Sequence, residues 1–186
     1  MTEHDTATAD RSIGSSSAPQ FTITRVFDAP RELVWRAWTE HADVAEWWHP
    51  RGIVIKPGSI EVDASVGGRY RYTMVAPDGT EYPTAGVYRE LDAPRRLVMT
   101  WGSPGDADDA APVITVTLRE LAGERTEMLF HLVGIEGAPG DGNVYDGWDS
   151  AFDVLAEHLG AADAVTDAAD PAIPDAADPA GPDGAS

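Results

Sequence analysis

The chain has 186 residues, with 32 acids against 13 bases and a formal net charge of −19 at pH 7. Hydrophobic residues at 42% and charged residues at 24% are ordinary globular proportions, which excludes a wholly disordered chain, while the acidity argues against nucleic acid or an anionic membrane surface as partner. Cysteine is absent, so disulfides, thiol nucleophiles and thiolate metal sites are removed in one step.

Residues 1–19 are rich in Thr, Ala and Ser, with Ile13 as the one large aliphatic residue, and are expected to form a disordered arm. The acidic start Met1-Thr2-Glu3-His4-Asp5 lacks the basic and apolar regions of a secretory signal. No apolar run approaches the roughly 20 residues of a membrane span. A cytoplasmic protein without membrane insertion is the expectation. Phe21, Ile23 and Arg25 alternate with Thr22, Thr24 and Val26, which predicts a strand over about residues 20–27. Asp28-Ala29-Pro30 then starts a helix, with Pro30 expected at its first position and Leu33, Val34, Ala37 and Trp38 on one face. Thr39 reads as a break and cap before a second short helix over about 41–48, which His49-Pro50 ends.

A meander follows. Tyr70, Tyr72 and Met74 face one way and Arg69, Arg71 and Thr73 the other, and Pro77-Asp78-Gly79 forms a hairpin turn. Further strands are predicted over about 82–91, around Leu97–Trp101, around Ile114–Arg119 and around Met128–Leu132. From Asn143 onward, Val144, Trp148, Phe152, Leu155 and Leu159 make one helical stripe, and Gly160 is placed as the C-cap. Beyond it Asp167-Ala168-Ala169-Asp170-Pro171-Ala172 recurs as Asp175-Ala176-Ala177-Asp178-Pro179-Ala180. Residues 161–186 are therefore expected to be a disordered acidic Ala/Asp/Pro tail. The 20–160 core is acidic on its own account, since residues 20–159 carry 23 acids and 12 bases. Strands without βαβ alternation, closed by one long helix, define an α+β fold with a curled antiparallel sheet of about six or seven strands. The helix lies across the sheet's concave face.

The residues Phe27-Asp28-Ala29-Pro30, Val34-Trp35-Arg36-Ala37-Trp38-Thr39 and Trp47-Trp48 resemble the opening of the activator of heat-shock protein 90 ATPase homologue family. Val66-Gly67-Gly68-Arg69-Tyr70-Arg71-Tyr72, Gly86-Val87-Tyr88-Arg89-Glu90, Arg96-Leu97-Val98-Met99-Thr100-Trp101 and Gly147-Trp148 continue the likeness in order. The resemblance spans residues 20–159. It implies the START/SRPBCC helix-grip (Bet-v-1-like) fold, whose members include lipid and hormone carriers, polyketide cyclases and domains that stimulate a chaperone ATPase. Fold alone does not choose among these.

A cavity between sheet and long helix is the place for a ligand. Alternation and helical stripe give Trp48, Tyr70, Tyr72, Met74, Trp101, Phe130, Trp148 and Phe152 as its lining. His131 is counted with them, its strand register deciding whether it faces the cavity or solvent. Individually these rings fit a packed core; as a set they fit rigid ligand walls. His41 and His49 are too far apart for a helical zinc pair; neither metal nor cofactor is expected. Glu61, Asp63, Glu90 and Glu127 read as strand carboxylates, with Arg69, Arg71 and Arg89 as cross-sheet partners. Asp106-Ala107-Asp108-Asp109 reads as a solvated loop. The favoured reading is non-catalytic binding of a small apolar or aromatic ligand. A chaperone or other protein is the alternative partner, and an enzyme using Tyr70, Tyr72 or His131 as proton donor comes third.

Overall fold

A computed structural model describes residues 18–168. The disordered arm expected over residues 1–19 lies outside the described residues save for Ala18 and Pro19, and the Asp-Ala-Pro repeat lies outside them beyond Ala168.

The first strand, β1 (Gln20–Phe27), buries Phe21, Ile23 and Phe27 and leaves the intervening residues largely outside. Two short helices follow, α1 (Arg31–Thr39) and α2 (His41–Trp47). Pro30 stands one position ahead of the expected place, as the N-cap whose carbonyl accepts from Leu33 and Val34 N–H. Its fixed φ suits that position equally well. Thr39 is still helical, its hydroxyl donating back to the Trp35 carbonyl at 3.0 Å; extended Glu40 is the joint between the helices.

The remaining strands are β2 (Val54–Ile55), β3 (Glu61–Val62), β4 (Arg69–Val75), β5 (Glu81–Asp92), β6 (Arg96–Thr100), β7 (Val113–Leu121) and β8 (Arg125–Val133). They form one antiparallel sheet in the order β1-β8-β7-β6-β5-β4-β2, with β3 also paired to β4. The count exceeds six or seven because β2 and β3 have two residues each, too short to show alternation. Residues 81–87 of β5 pair with β4 and residues 88–92 with β6, with a bulge between Tyr88 and Glu90. One long strand thus carries the sheet around its bend. At the bend Tyr70 faces Gly86 across the ladder. A Cβ on Gly86 would lie 2.6 Å from the Tyr70 hydroxyl and 2.1 Å from the Thr100 carbonyl oxygen, so only glycine fits.

The long helix, α3 (Val144–Ala168), covers the concave face with Trp148, Ala151, Phe152, Leu155 and Leu159. It does not stop at Gly160. The alanines at 161, 162 and 164 are strong helix formers and offset the glycine, so the tail expected from residue 161 is helical as far as Ala168. Arg25 shares the inward side of β1 and donates to Asp149 of α3 at 2.6 Å. Arg51 reaches Glu157 at 2.7 Å, and its backbone N–H bonds to Ser150 Oγ. Most carboxylates expected on strands are paired on the outside: Glu61 with Arg71, Glu90 with Arg96, Glu127 with Arg119. Asp63 falls just past β3 and accepts from Ser65; Arg69 and Arg89 turn instead to Asp108.

Candidate functional site

The inner face of the sheet is dominated by rings. Trp38 of α1 lies at their centre, 4.7 Å from Trp47, 6.0 Å from Trp48, 6.2 Å from Trp148 and 6.3 Å from Phe130, measured between ring centroids. Most of this cluster is solid core. Where it meets the first turns of α3, the packing opens into a cleft of about 180 Å³. Its walls are Tyr72 and Met74 of β4, Trp101 just beyond β6, Trp48-His49-Pro50 after α2, and Asn143, Val144, Gly147, Trp148 and Ala151 from the start of α3. The alternation of β4 sends Tyr72 and Met74 inward, and the helical stripe sets Val144, Trp148 and Ala151 opposite them.

Five of the nine residues expected in the lining meet here: Trp48, Tyr72, Met74, Trp101 and Trp148. The other four do not. Tyr70 is packed behind Trp48 at 4.9 Å, and its hydroxyl donates to the Thr100 carbonyl at 2.6 Å. Phe130 and Phe152 are fully buried against each other and Trp148, leaving no free face. His131 is on the outer face, because its neighbours Phe130 and Leu132 take the inward positions. There its Nδ1 lies 2.9 Å from Thr22 Oγ1.

The wall residues that alternation could not supply come from irregular segments or from small side chains. His49 and Pro50 follow α2, Asn143 precedes α3, and Gly147 and Ala151 carry too little apolar surface to mark a stripe. Gly147 did leave a signal in the sequence, a glycine inside an otherwise regular helical pattern. A Cβ built on it meets nothing within 4 Å. No packing constraint requires glycine there, and Gly147 is among the residues that line the cleft.

The cleft carries no arginine, lysine, aspartate or glutamate. Its polar lining side chains are Tyr72, His49 and Asn143, whereas the indole N–H groups of Trp48, Trp101 and Trp148 are covered by the surrounding protein. His49 Nδ1 lies 3.1 Å from the Pro50 carbonyl, so that nitrogen carries the proton. Burial pushes the Tyr72 phenol up to about 12, although the nearby Trp101 and Thr84 side chains favour its ionised form. Trp101 Nε1 nevertheless makes no hydrogen bond of normal geometry to it. Burial also raises Tyr70 and Tyr88, whose hydroxyls are tied to the Thr100 and Trp38 carbonyls. Phenols raised in this way hold their protons at neutral pH and are poorly matched to proton transfer. No cluster of three potential metal ligands occurs among the described residues.

An antiparallel sheet curled around a C-terminal helix, with a cleft between them, is the helix-grip architecture of the START/SRPBCC superfamily. The sequence pattern of the activator of Hsp90 ATPase homolog 1-like proteins matches residues 28–160, and the chain belongs to that family. A crystal structure of a Chromobacterium violaceum protein is similar over 75% of this chain and 96% of its own, with 30% identity and a TM-score of 0.65. The solution structure of an AHSA1-like protein from Aeromonas hydrophila covers 77% of this chain and 94% of its own at 22% identity, with a TM-score of 0.60. A Nitrosomonas europaea protein shares the fold at 22% identity and a TM-score of 0.65, over 78% and 97% of the two chains. No curated protein sequence matches the chain.

Proposed function

We propose that this protein binds a small, mostly apolar ligand without transforming it, in the cleft between β4, Trp101 and the first turns of α3. The observation that carries the reading is Gly147. A glycine inside a helix costs about 1 kcal/mol relative to alanine, and here it serves no contact; what it preserves is room in an apolar cleft. The volume of about 180 Å³ is a little above the ~150 Å³ of an apolar cavity that takes benzene. One ring with a substituent, or two fused rings with an edge at the mouth, suits it. A fatty acid or sterol does not fit without wider opening.

A thermal-shift and native mass-spectrometry screen of one- and two-ring aromatics, fatty acids and sterols tests the proposal. The small aromatics should raise the melting temperature with one molecule bound per chain. Absence of any stabilising compound would count against a binding role.

A further inference from the structure

We propose that the ligand, granted that the cleft binds one, is an uncharged, elongate molecule: its ring sits in the cleft and its apolar tail runs past Trp101 into a second compartment. Trp101 sets how much tail is admitted. The second compartment is an open pocket of about 470 Å³ that shares Met74 and Trp101 with the cleft. Its own walls include Tyr82 and Thr84 of β5, Pro112 before β7, and Ile135 after β8. The ladder explains why the two spaces adjoin. Tyr82 and Thr84 are the cross-strand partners of Met74 and Tyr72, and such partners project from the same face of a sheet. The cleft face of β4 therefore continues onto β5, and side chains alone divide it.

The divider is slight. Met74 is unbranched and adaptable. Trp101 is only half-buried and stands at the edge of the ring cluster, 5.6 Å from Trp148 and beside the Tyr72 hydroxyl. Trp148, by contrast, is also packed on Trp38, Phe130 and Phe152. The backbone beneath Trp101 is fixed: its N–H donates to the Pro112 carbonyl, and Gly102 exchanges two hydrogen bonds with Ala85. A tail is thus admitted by turning the side chain alone. Beyond it Tyr82 is 47% exposed, a ring at the rim that a tail would cover. Among the described residues no arginine or lysine lines either compartment, so a carboxylate would find no counter-ion in a protein of net charge −19. The carboxylates bordering the second pocket are already engaged, Glu81 by Lys56 and Asp106 by the Ser103 N–H, each at 2.7 Å. Neither calls for a cationic ligand.

Benzyl alcohol, 5-phenylpentan-1-ol and 5-phenylpentanoate, titrated into methyl-labelled protein, test this. The long alcohol should bind at least about tenfold more tightly than the short one, a modest gain for four further methylenes, and more tightly than the acid. It should shift the methyl resonances of both Ile135 and Met74, whereas benzyl alcohol should shift Met74 alone. Trp101→Ala should widen the ratio between the two alcohols at least about threefold. Trp101→Phe, which keeps a ring against Trp148, should widen it in the same direction. Tyr82→Ala, at an exposed site, should narrow it. A long alcohol that gains nothing, or gains without moving Ile135, would overturn the second compartment while leaving the binding role intact. An unchanged ratio in both Trp101 variants would overturn Trp101 as the divider. Tighter binding of the acid would overturn the uncharged assignment. If no probe binds, the binding role itself fails and takes this inference with it.

Discussion

Gly147 and Trp148 are adjacent on α3 and do opposite work. The indole of Trp148 fills space between Phe130, Phe152 and Trp101, with ring centroids 4.8, 5.8 and 5.6 Å away, whereas Gly147 leaves space unfilled. Gly147→Ala should stabilise the fold by about 0.5–1 kcal/mol, because it removes the glycine penalty without a clash. A stability gain paired with weaker ligand binding, read by urea unfolding and by titration, is the signature of a residue kept for its cavity. Destabilisation would mean that glycine serves the backbone instead. The buried phenols give a second prediction at this scale. Tyr72 rises from the ordinary 10 to about 12, and Tyr70 and Tyr88 rise as well. Below pH 10 both the folded and the unfolded chain keep these protons, and the contribution is constant. Between there and about pH 12 the unfolded chain releases protons that the folded protein holds, so stability falls as pH rises. Tyr72 alone accounts for up to about 3 kcal/mol. The urea midpoint should drop across that interval, and less steeply in Tyr72→Phe; a midpoint that stays flat would contradict the burial of these rings.

The elements depend on one another through α3. Phe152 packs on Trp38, Trp47, Phe130 and Trp148, linking α1, α2, β8 and its own helix. Phe152→Ala should cost about 3–5 kcal/mol, with near-ultraviolet circular dichroism weakened because the tryptophan packing loosens. A cost below about 1 kcal/mol would show that α3 is peripheral to the core. The surface ion pair of Arg25 with Asp149, about a third exposed on each side, is worth at most about 1 kcal/mol by comparison. This division also explains which elements were legible in the sequence. β1, β4, β7, β8 and the buried stripe of α3 announced themselves because one face is buried along most of their length. β2 and β3 were too short to carry a period. Gly160 misled because a glycine that often ends a helix lies here inside one, with alanine on its C-terminal side.

At the scale of the molecule, the sequence contained the fold and about half of the cleft. Alternation and the helical stripe could say that Tyr70, Tyr72, Phe130 and Phe152 point inward, and all four do. It could not say which inward rings would be sealed behind others. That depends on where the sheet bends around Gly86 and where α3 crosses, both properties of the assembled chain. His131 shows the related limit: placing it outward required the register of β8, which the pairing with β1 and β7 fixes. No helix among the described residues is long and apolar enough to cross a membrane. The charge of −19 bears on the cleft only by keeping anions away.

The most direct measurement is a toluene titration of wild-type protein and Gly147→Leu, followed through the methyl resonance of Met74. Saturable, single-site shifts in the wild type, lost in a Gly147→Leu protein that still melts cooperatively, are the predicted result. Unsaturable shifts, or the same isotherm with the cleft filled by leucine, would contradict a binding site between the sheet and its long helix.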